Sequence, residues 1–449
     1  MTTAAIPASS IPHIKGMPFL GNLSEFRSER LDLLTRVAQE CGDIGAFGIG
    51  PRTVYLANSP ELAKAVYVDH AYDFEKTANL RVHTRRLLGN GLLTSEMEFH
   101  KKQRKLVAPA LSYKRVIGYA DVMAAYGERL HMTWTDGETV DVGQEMMRLT
   151  LGIVGKTLFD ADVLEEADEL GEALTVAMRQ ANASFGSLVH LPQDWPTPRN
   201  RRAKEAAERL DETIYRIIAQ HRASGEDKGD LLSMLLASQD EDGSFMSDQQ
   251  VRDESMTLFL AGHETTANAL AWAWYLLSRN PEIYARLRAE VDAVLAGRTP
   301  THADLASLPY SLQVFKEALR IYPPAYLTGR VTVREVEIEG YTLPVDTVVL
   351  VSPYTMHRRP DLFPEPERFD PERFSAENEA KLPKHAFIPF GGGPRICIGN
   401  HFALMEGQIL LATLAQRVRF DLAPGQEVEP EPLITLRPKH GIQMRVTRR

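Results

Sequence analysis

The chain has 449 residues, 44% of them hydrophobic and 25% charged, with a net charge of −9 at pH 7. Such a length and composition describe an ordinary globular protein with room for a large core, and the acidic balance argues against broad nucleic-acid binding. Two cysteines, Cys41 and Cys397, are too few for a disulfide framework and point to a reducing compartment.

The N-terminus, MTTAAIPASSIPHIKG, has neither the charged and apolar regions of a signal peptide nor the roughly 20 apolar residues of a membrane span. A cytoplasmic protein without a membrane anchor is expected. DIGAFGIGPRTVYLANSP then alternates around Gly50-Pro51 and predicts a hairpin. From there to about residue 325 helical periodicity dominates, broken by short Gly, Pro or Asp-rich stretches. Lys101, Lys102, Arg104 and Lys105 make a basic run on one of these helices. RASGEDKGD, Arg222 to Asp230, reads as an exposed connection, and no linker is long enough to separate domains, so one unit over residues 1–449 is expected.

The clearest helix opens at Ser247, where S-x-x-Q to Gln250 predicts a capping box, and runs to Asn280-Pro281. At 1.5 Å per residue it is a rod of roughly 48 Å, long enough to cross a domain. Its middle, LFLAGHETTANALAWAWYLL, is apolar nearly all round yet carries Gly262, Glu264, Thr265 and Thr266. Buried polar groups need partners: either these line a groove holding water or ligand, or the threonines bond back to the helix and the glutamate meets a cation. A second extended region, GRVTVREVEIEGYTLPVDTVVLVSP, predicts another hairpin around Gly340 and completes a mainly α fold with a small β region.

Near the C-terminus, PFGGGPRICIGNH sets Cys397 in a tight, polar loop ahead of a helix whose apolar Phe402, Met405, Ile409 and Ala412 share a face. Three easy readings of these motifs fail or stay incomplete. Gly262-His263-Glu264-Thr265-Thr266 lacks the second histidine of H-E-x-x-H, because position 267 is alanine. The loop glycines lack the third glycine of G-x-G-x-x-G, and no Gly-Lys-Ser/Thr follows. Cys397 and His401 are four apart, but zinc would need two further ligands from unclustered residues. A nucleophilic cysteine at a helix N-terminus is a fairer rival, yet it leaves Arg395, Phe390 and the Glu264-Thr265 pair unused.

Phe390-Gly-Gly-Gly393-Pro-Arg395-Ile-Cys397-Ile-Gly399 resembles the haem-binding loop F-x-x-G-x-R-x-C-x-G of the cytochrome P450 family at every fixed position. The likeness extends over nearly the whole chain. Ala261 to Thr266 resembles the family's oxygen-activation motif, Glu317-Ala-Leu-Arg320 its E-x-x-R pair, and Pro366-x-x-Phe369-x-Pro371-Glu-Arg373-Phe374 the source of the third cluster member, selecting Arg373 over Arg368. The resemblance implies haem b held between the central helix and the helix after the Cys loop. Cys397 would be the thiolate ligand of the iron. Arg395, Arg330, His100 and Arg104 would hold the propionates, with His100-x-x-x-Arg104 standing where the family often has Trp, and Phe390 would pack near the sulfur. Glu264 and Thr265 would deliver protons to dioxygen, the co-substrate, whereas His263 would be structural. The implied activity is insertion of one oxygen atom into a hydrophobic small molecule; a thiolate-haem sensor or a peroxide-driven peroxygenase is the alternative. No flavin or iron–sulfur motif occurs in the sequence, so electrons are expected from a ferredoxin or flavodoxin with its NAD(P)H reductase, docking on the basic run. The substrate pocket is expected from residues 71–93 and 178–196, Leu258, Ala261, and segments 325–327 and 434–436, leaving fatty acid, terpenoid, steroid and polyketide open.

Overall fold

Strands β1 (Ile44–Ile49) and β2 (Arg52–Ala57) pair antiparallel, with Ile49 opposite Arg52 across Gly50-Pro51, as the sequence predicts. Gly50 takes φ 58°, a left-handed conformation that costs glycine little. Strand β3 (Phe74–Lys76) and helix α1 (Met97–Val107) follow, then the long helices α2 (Val142–Phe159), α3 (Pro198–Ser224) and α4 (Asp248–Arg279). After α5 (Pro309–Ile321) come β4 (Thr328–Thr332), the hairpin β5 (Val336–Ile338) and β6 (Tyr341–Leu343), and β7 (Val348–Val351). Helix α6 (Asn400–Arg417) and a second small hairpin, β8 (Pro430–Pro432) with β9 (Leu436–Pro438), lie near the C-terminus. This computed structural model describes residues 6–164, 166–184, 195–239, 243 and 245–449. Residues 185–194, part of the expected substrate segment 178–196, lie outside them.

The largest sheet has the order β1-β2-β7-β4-β3, so residues far apart in sequence share it. The predicted hairpin at Gly340 forms, with Glu339 and Gly340 at φ 45° and 82°, but it leaves that sheet to pair with Ile6–Pro7. The helical side buries one large apolar cluster to which α2, α4, α5 and α6 all contribute, with Trp272 and Trp274 of α4 among its largest members. No helix among the described residues is long and apolar enough to cross a membrane.

Helix α4 starts where the sequence predicts, the Ser247 hydroxyl accepting from the Gln250 N–H at 3.2 Å. The capping box does not close, however. The Gln250 side chain donates to the Asn90 carbonyl at 3.3 Å and to Glu254 at 2.9 Å, because a tertiary partner competes for it. The same end of α4 grips the segment after residue 88: Asp253 accepts from the Asn90 N–H at 2.8 Å and Glu254 from the Leu92 N–H at 2.9 Å. Midway, Gly262 is not a break but a contact point. A Cβ there would lie 3.0 Å from Val154 of α2, so the two helices approach closely.

Candidate active site

The Cys397 loop is built by its own backbone. Gly391 N–H donates to the Ile388 carbonyl at 3.1 Å, Ile396 N–H to Gly393 at 3.0 Å, and Cys397 N–H to Phe390 at 2.9 Å. Gly391 and Gly393 sit at φ 70° and 64°, and a Cβ on Gly393 would collide with the Tyr67 carbonyl, so a side chain is excluded there on two counts. Protein surrounds Cys397, yet its side chain remains accessible, so the sulfur faces an internal space. Burial pushes the thiol pKa up, while the Gly399 N–H, which bonds the sulfur, and the nearby Arg104 guanidinium pull it down. Both groups, and the N-terminus of α6 that begins at Asn400, favour a thiolate once a cation binds it. His401 is exposed with its ring edge-on to Tyr113, and among the described residues no three His, Cys, Asp or Glu gather as a metal cluster, so the zinc pair gains no further ligands.

Behind the loop lies the predicted Glu-Arg cluster. Arg320 forks onto Glu317 at 2.7 and 2.8 Å with both side chains fully buried, and Arg373 approaches Glu317 at 3.4 Å. Arg368 pairs instead with exposed Glu365. Arg320 also donates to the carbonyls of His357 and Arg368.

On the other side, α4 is buried around residue 260 except at Ala261, Gly262 and Thr265, which form one accessible stripe. The helix meets α6 where Thr266 lies beside Glu406. Thr265 Oγ1 bonds back to the Ala261 carbonyl at 2.9 Å, the bland alternative for its ground state. Among the described residues Glu264 meets no cation by hydrogen bond. It accepts from Thr435 at 2.6 Å, and burial raises its pKa, although the nearby Arg437 guanidinium pulls it down. His263 is structural: it is buried, Nδ1 bonds the Phe259 carbonyl at 2.8 Å, and burial lowers its pKa to about 4.

Cations form the third wall. Arg395 donates to the Ala71 carbonyl at 2.5 Å and to Glu96 at 2.8 Å, leaving Nε buried without a hydrogen-bond partner among the described residues. His100 and Arg104 on α1 share with it a cleft of about 420 Å³. Arg330 on β4 lies over the Tyr67 ring at 5.4 Å. Lys76, unforeseen from the sequence, ends β3 with Nζ on the carbonyls of Leu92 and Ser95 at 3.1 and 2.8 Å. Burial is the main cause that lowers Lys76 to about 7 and His100 to about 4; repulsion from Arg395 adds to both. Among the described residues, Lys76, Arg330 and Arg395 thus face Glu96, Glu254 lies near Lys76 but is itself pushed up to about 7 mainly by burial, and Arg104 faces Cys397. This wall is short of negative charge. A ligand with two carboxylates and a metal that takes a thiolate fits the donor set.

Sequence reasoning singled out none of Lys76, Glu96, His357 and Thr435, although Lys76 and Thr435 fall within the expected substrate segments 71–93 and 434–436. None sits in a local pattern, and their roles arise from partners distant along the chain. Glu406, a carboxyl inside the apolar run LMEGQILL, did carry a signal.

A family model described as Cytochrome P450 matches residues 12–446. The chain is 41% identical to the "Cyclooctatin synthase" of Streptomyces melanosporofaciens, over 94% of this chain and 92% of that one. It is 36% identical to the "Cyclooctat-9-en-7-ol 5-monooxygenase" of the same organism, over 94% and 91%. It is 33% identical to the "Pentalenene oxygenase" of Streptomyces avermitilis, over 96% of each.

Proposed function

The chain belongs to the cytochrome P450 family and is a haem-dependent monooxygenase of hydrophobic small molecules, and from that premise we propose that its substrate is a cyclic terpenoid hydrocarbon or alcohol. Membership of the family alone leaves fatty acid, steroid and polyketide open. What favours the terpenoid is that related chains, aligned over nearly their full lengths, carry names specifying pentalenene and an alkenol.

Bound in this site, haem b supplies an iron that activates dioxygen, and a thiolate ligand favours O–O cleavage. Cys397 is the residue we assign as that ligand, held by the Phe390 carbonyl through its N–H and by the Gly399 N–H through its sulfur. Phe390 keeps the loop against the core. Arg395, Arg330, Arg104 and Lys76 would neutralise the two propionates, and His100 would add a neutral donor. The shortage of anions among these side chains is the observation that carries the assignment.

Thr265 lies on the accessible stripe of α4, where its hydroxyl can release Ala261 and hold a water for proton transfer. Glu264, whose pKa burial raises, serves as the acid behind it. Electrons come from a ferredoxin or flavodoxin and its NAD(P)H reductase, recognised by exposed Lys101, Lys102 and Lys105 of α1. Free Cys41 and Cys397 agree with a cytoplasmic setting.

Titrating purified haem-loaded protein with cyclic terpenes, terpene alcohols, fatty acids and steroids tests the substrate class. Terpenoids should give the spin-state shift and a product heavier by one oxygen atom. Tight binding and turnover of only a fatty acid or steroid would overturn the choice.

A further inference from the structure

The turn between β8 and β9 brings Thr435 against the middle of α4, 171 residues from its partner Glu264. Thr435, Glu264 and Asn268 are all buried, at 6%, 7% and 2% exposure. Asn268, one helical turn beyond Glu264, donates its amide N–H to Thr435 Oγ1 at 3.3 Å. A hydroxyl has a single proton, and with its oxygen accepting from Asn268 that proton points at Glu264 Oε1, 2.6 Å away. The chain of bonds therefore runs one way, Asn268 to Thr435 to Glu264.

The turn that carries Thr435 is itself pinned. Trp272 of α4 donates to the Leu436 carbonyl at 3.2 Å, Leu436 N–H to the Pro324 carbonyl at 2.9 Å, and the Tyr326 hydroxyl to the Leu433 carbonyl at 2.8 Å. Arg30 adds a bond to the Pro432 carbonyl at 2.8 Å. Such bracing fixes where the hydroxyl sits relative to the helix. We propose that Thr435 is a positioning residue for Glu264: its hydroxyl occupies Oε1, fixes the plane of the carboxyl and leaves Oε2 as the atom that gives and takes the proton. This rests on the reading of Glu264 as the acid of the relay. Serine preserves the function and valine, of the same shape, removes it.

The test uses haem-loaded protein carrying Thr435→Val, Thr435→Ser and Glu264→Gln, with Thr435→Ala in reserve should the valine variant not fold. The first readout is the infrared carboxyl band that Glu264→Gln abolishes. It should shift in Thr435→Val and return in Thr435→Ser. The second is the fraction of reducing equivalents released as peroxide instead of product. It should rise several-fold in Thr435→Val, return to the starting level in Thr435→Ser, and rise no further when Thr435→Val is added to Glu264→Gln. An unmoved band would overturn the positioning role, as would a moved band with unchanged coupling in Thr435→Val while Glu264→Gln is impaired. Unchanged coupling in Glu264→Gln itself would overturn the underlying relay and is visible separately.

Discussion

The backbone N–H of Ile388 donates to Nε2 of His357 at 2.9 Å, and the same ring contacts the Arg320 carbonyl through Nδ1 at 3.3 Å. One neutral imidazole thus joins the buried Glu317–Arg320 pair to the start of the Cys397 loop. Nε2 must be the unprotonated nitrogen, since it accepts, and Nδ1 carries the proton.

Burial, reinforced by Arg320, lowers His357 to about 3. An unfolded histidine protonates near 6.5, so between those values the unfolded chain binds the extra proton and stability falls as pH falls. Melting temperature should decline from about pH 6.5 toward pH 3. In His357→Gln this part of the pH dependence should disappear, which thermal unfolding across a pH series would reveal.

The Glu-Arg cluster predicts a graded series. Glu317→Gln strands a fully buried guanidinium and should cost about 3–5 kcal/mol. Arg373→Ala removes a 3.4 Å contact and should cost about 1 kcal/mol. Arg368→Ala, at an exposed pair, should stay within about 0.5 kcal/mol. Denaturant unfolding of the three variants checks the order.

Lys76 should act with opposite signs in two states. Its burial among Arg330 and Arg395 is unfavourable until anions arrive. Lys76→Met should therefore melt higher than the parent when both are haem-free, yet lose haem faster when loaded. Paired melting and haem-transfer measurements decide this.

Glu406 of α6 is fully buried, neither oxygen makes a well-formed hydrogen bond among the described residues, and burial raises its pKa well above the ordinary value. The folded chain keeps this proton after an unfolded glutamate has lost it near pH 4.3, so stability falls as pH rises above that point. Glu406→Gln should lack this decline. Its stability relative to the parent should improve steadily toward neutral pH in urea titrations.

Thr265→Ala should divert reducing equivalents to peroxide, with product formation falling roughly tenfold or more while haem content is unchanged. Stoichiometric measurement of product, peroxide and NAD(P)H consumed would show it; full coupling in the variant would remove Thr265 from the relay.

What was legible in the sequence was local. Turns at Gly50-Pro51 and Glu339-Gly340, the Ser247 cap and the Cys397 loop each depend on residues within a few positions, so spacing alone reveals them. Arg373 was separable from Arg368 for the same reason. Where a distant partner decides, the pattern misleads or is silent: Gln250 abandons its cap for Asn90, 160 residues away, and Arg395 finds Glu96 across 299. Lys76 and Thr435 fall in stretches expected only as pocket lining, and their polar roles come from the sheet order β1-β2-β7-β4-β3 and from the pinned β8–β9 turn.

The thiolate of Cys397 on haem iron is tested most directly by the absorption spectrum of the reduced protein under carbon monoxide. The unaltered protein should give the long-wavelength Soret band of a thiolate-ligated carbonyl complex, and Cys397→His should replace it with the shorter-wavelength band of an imidazole-ligated one. An imidazole-type band in the unaltered protein, or a thiolate-type band that survives Cys397→His, would contradict the assignment.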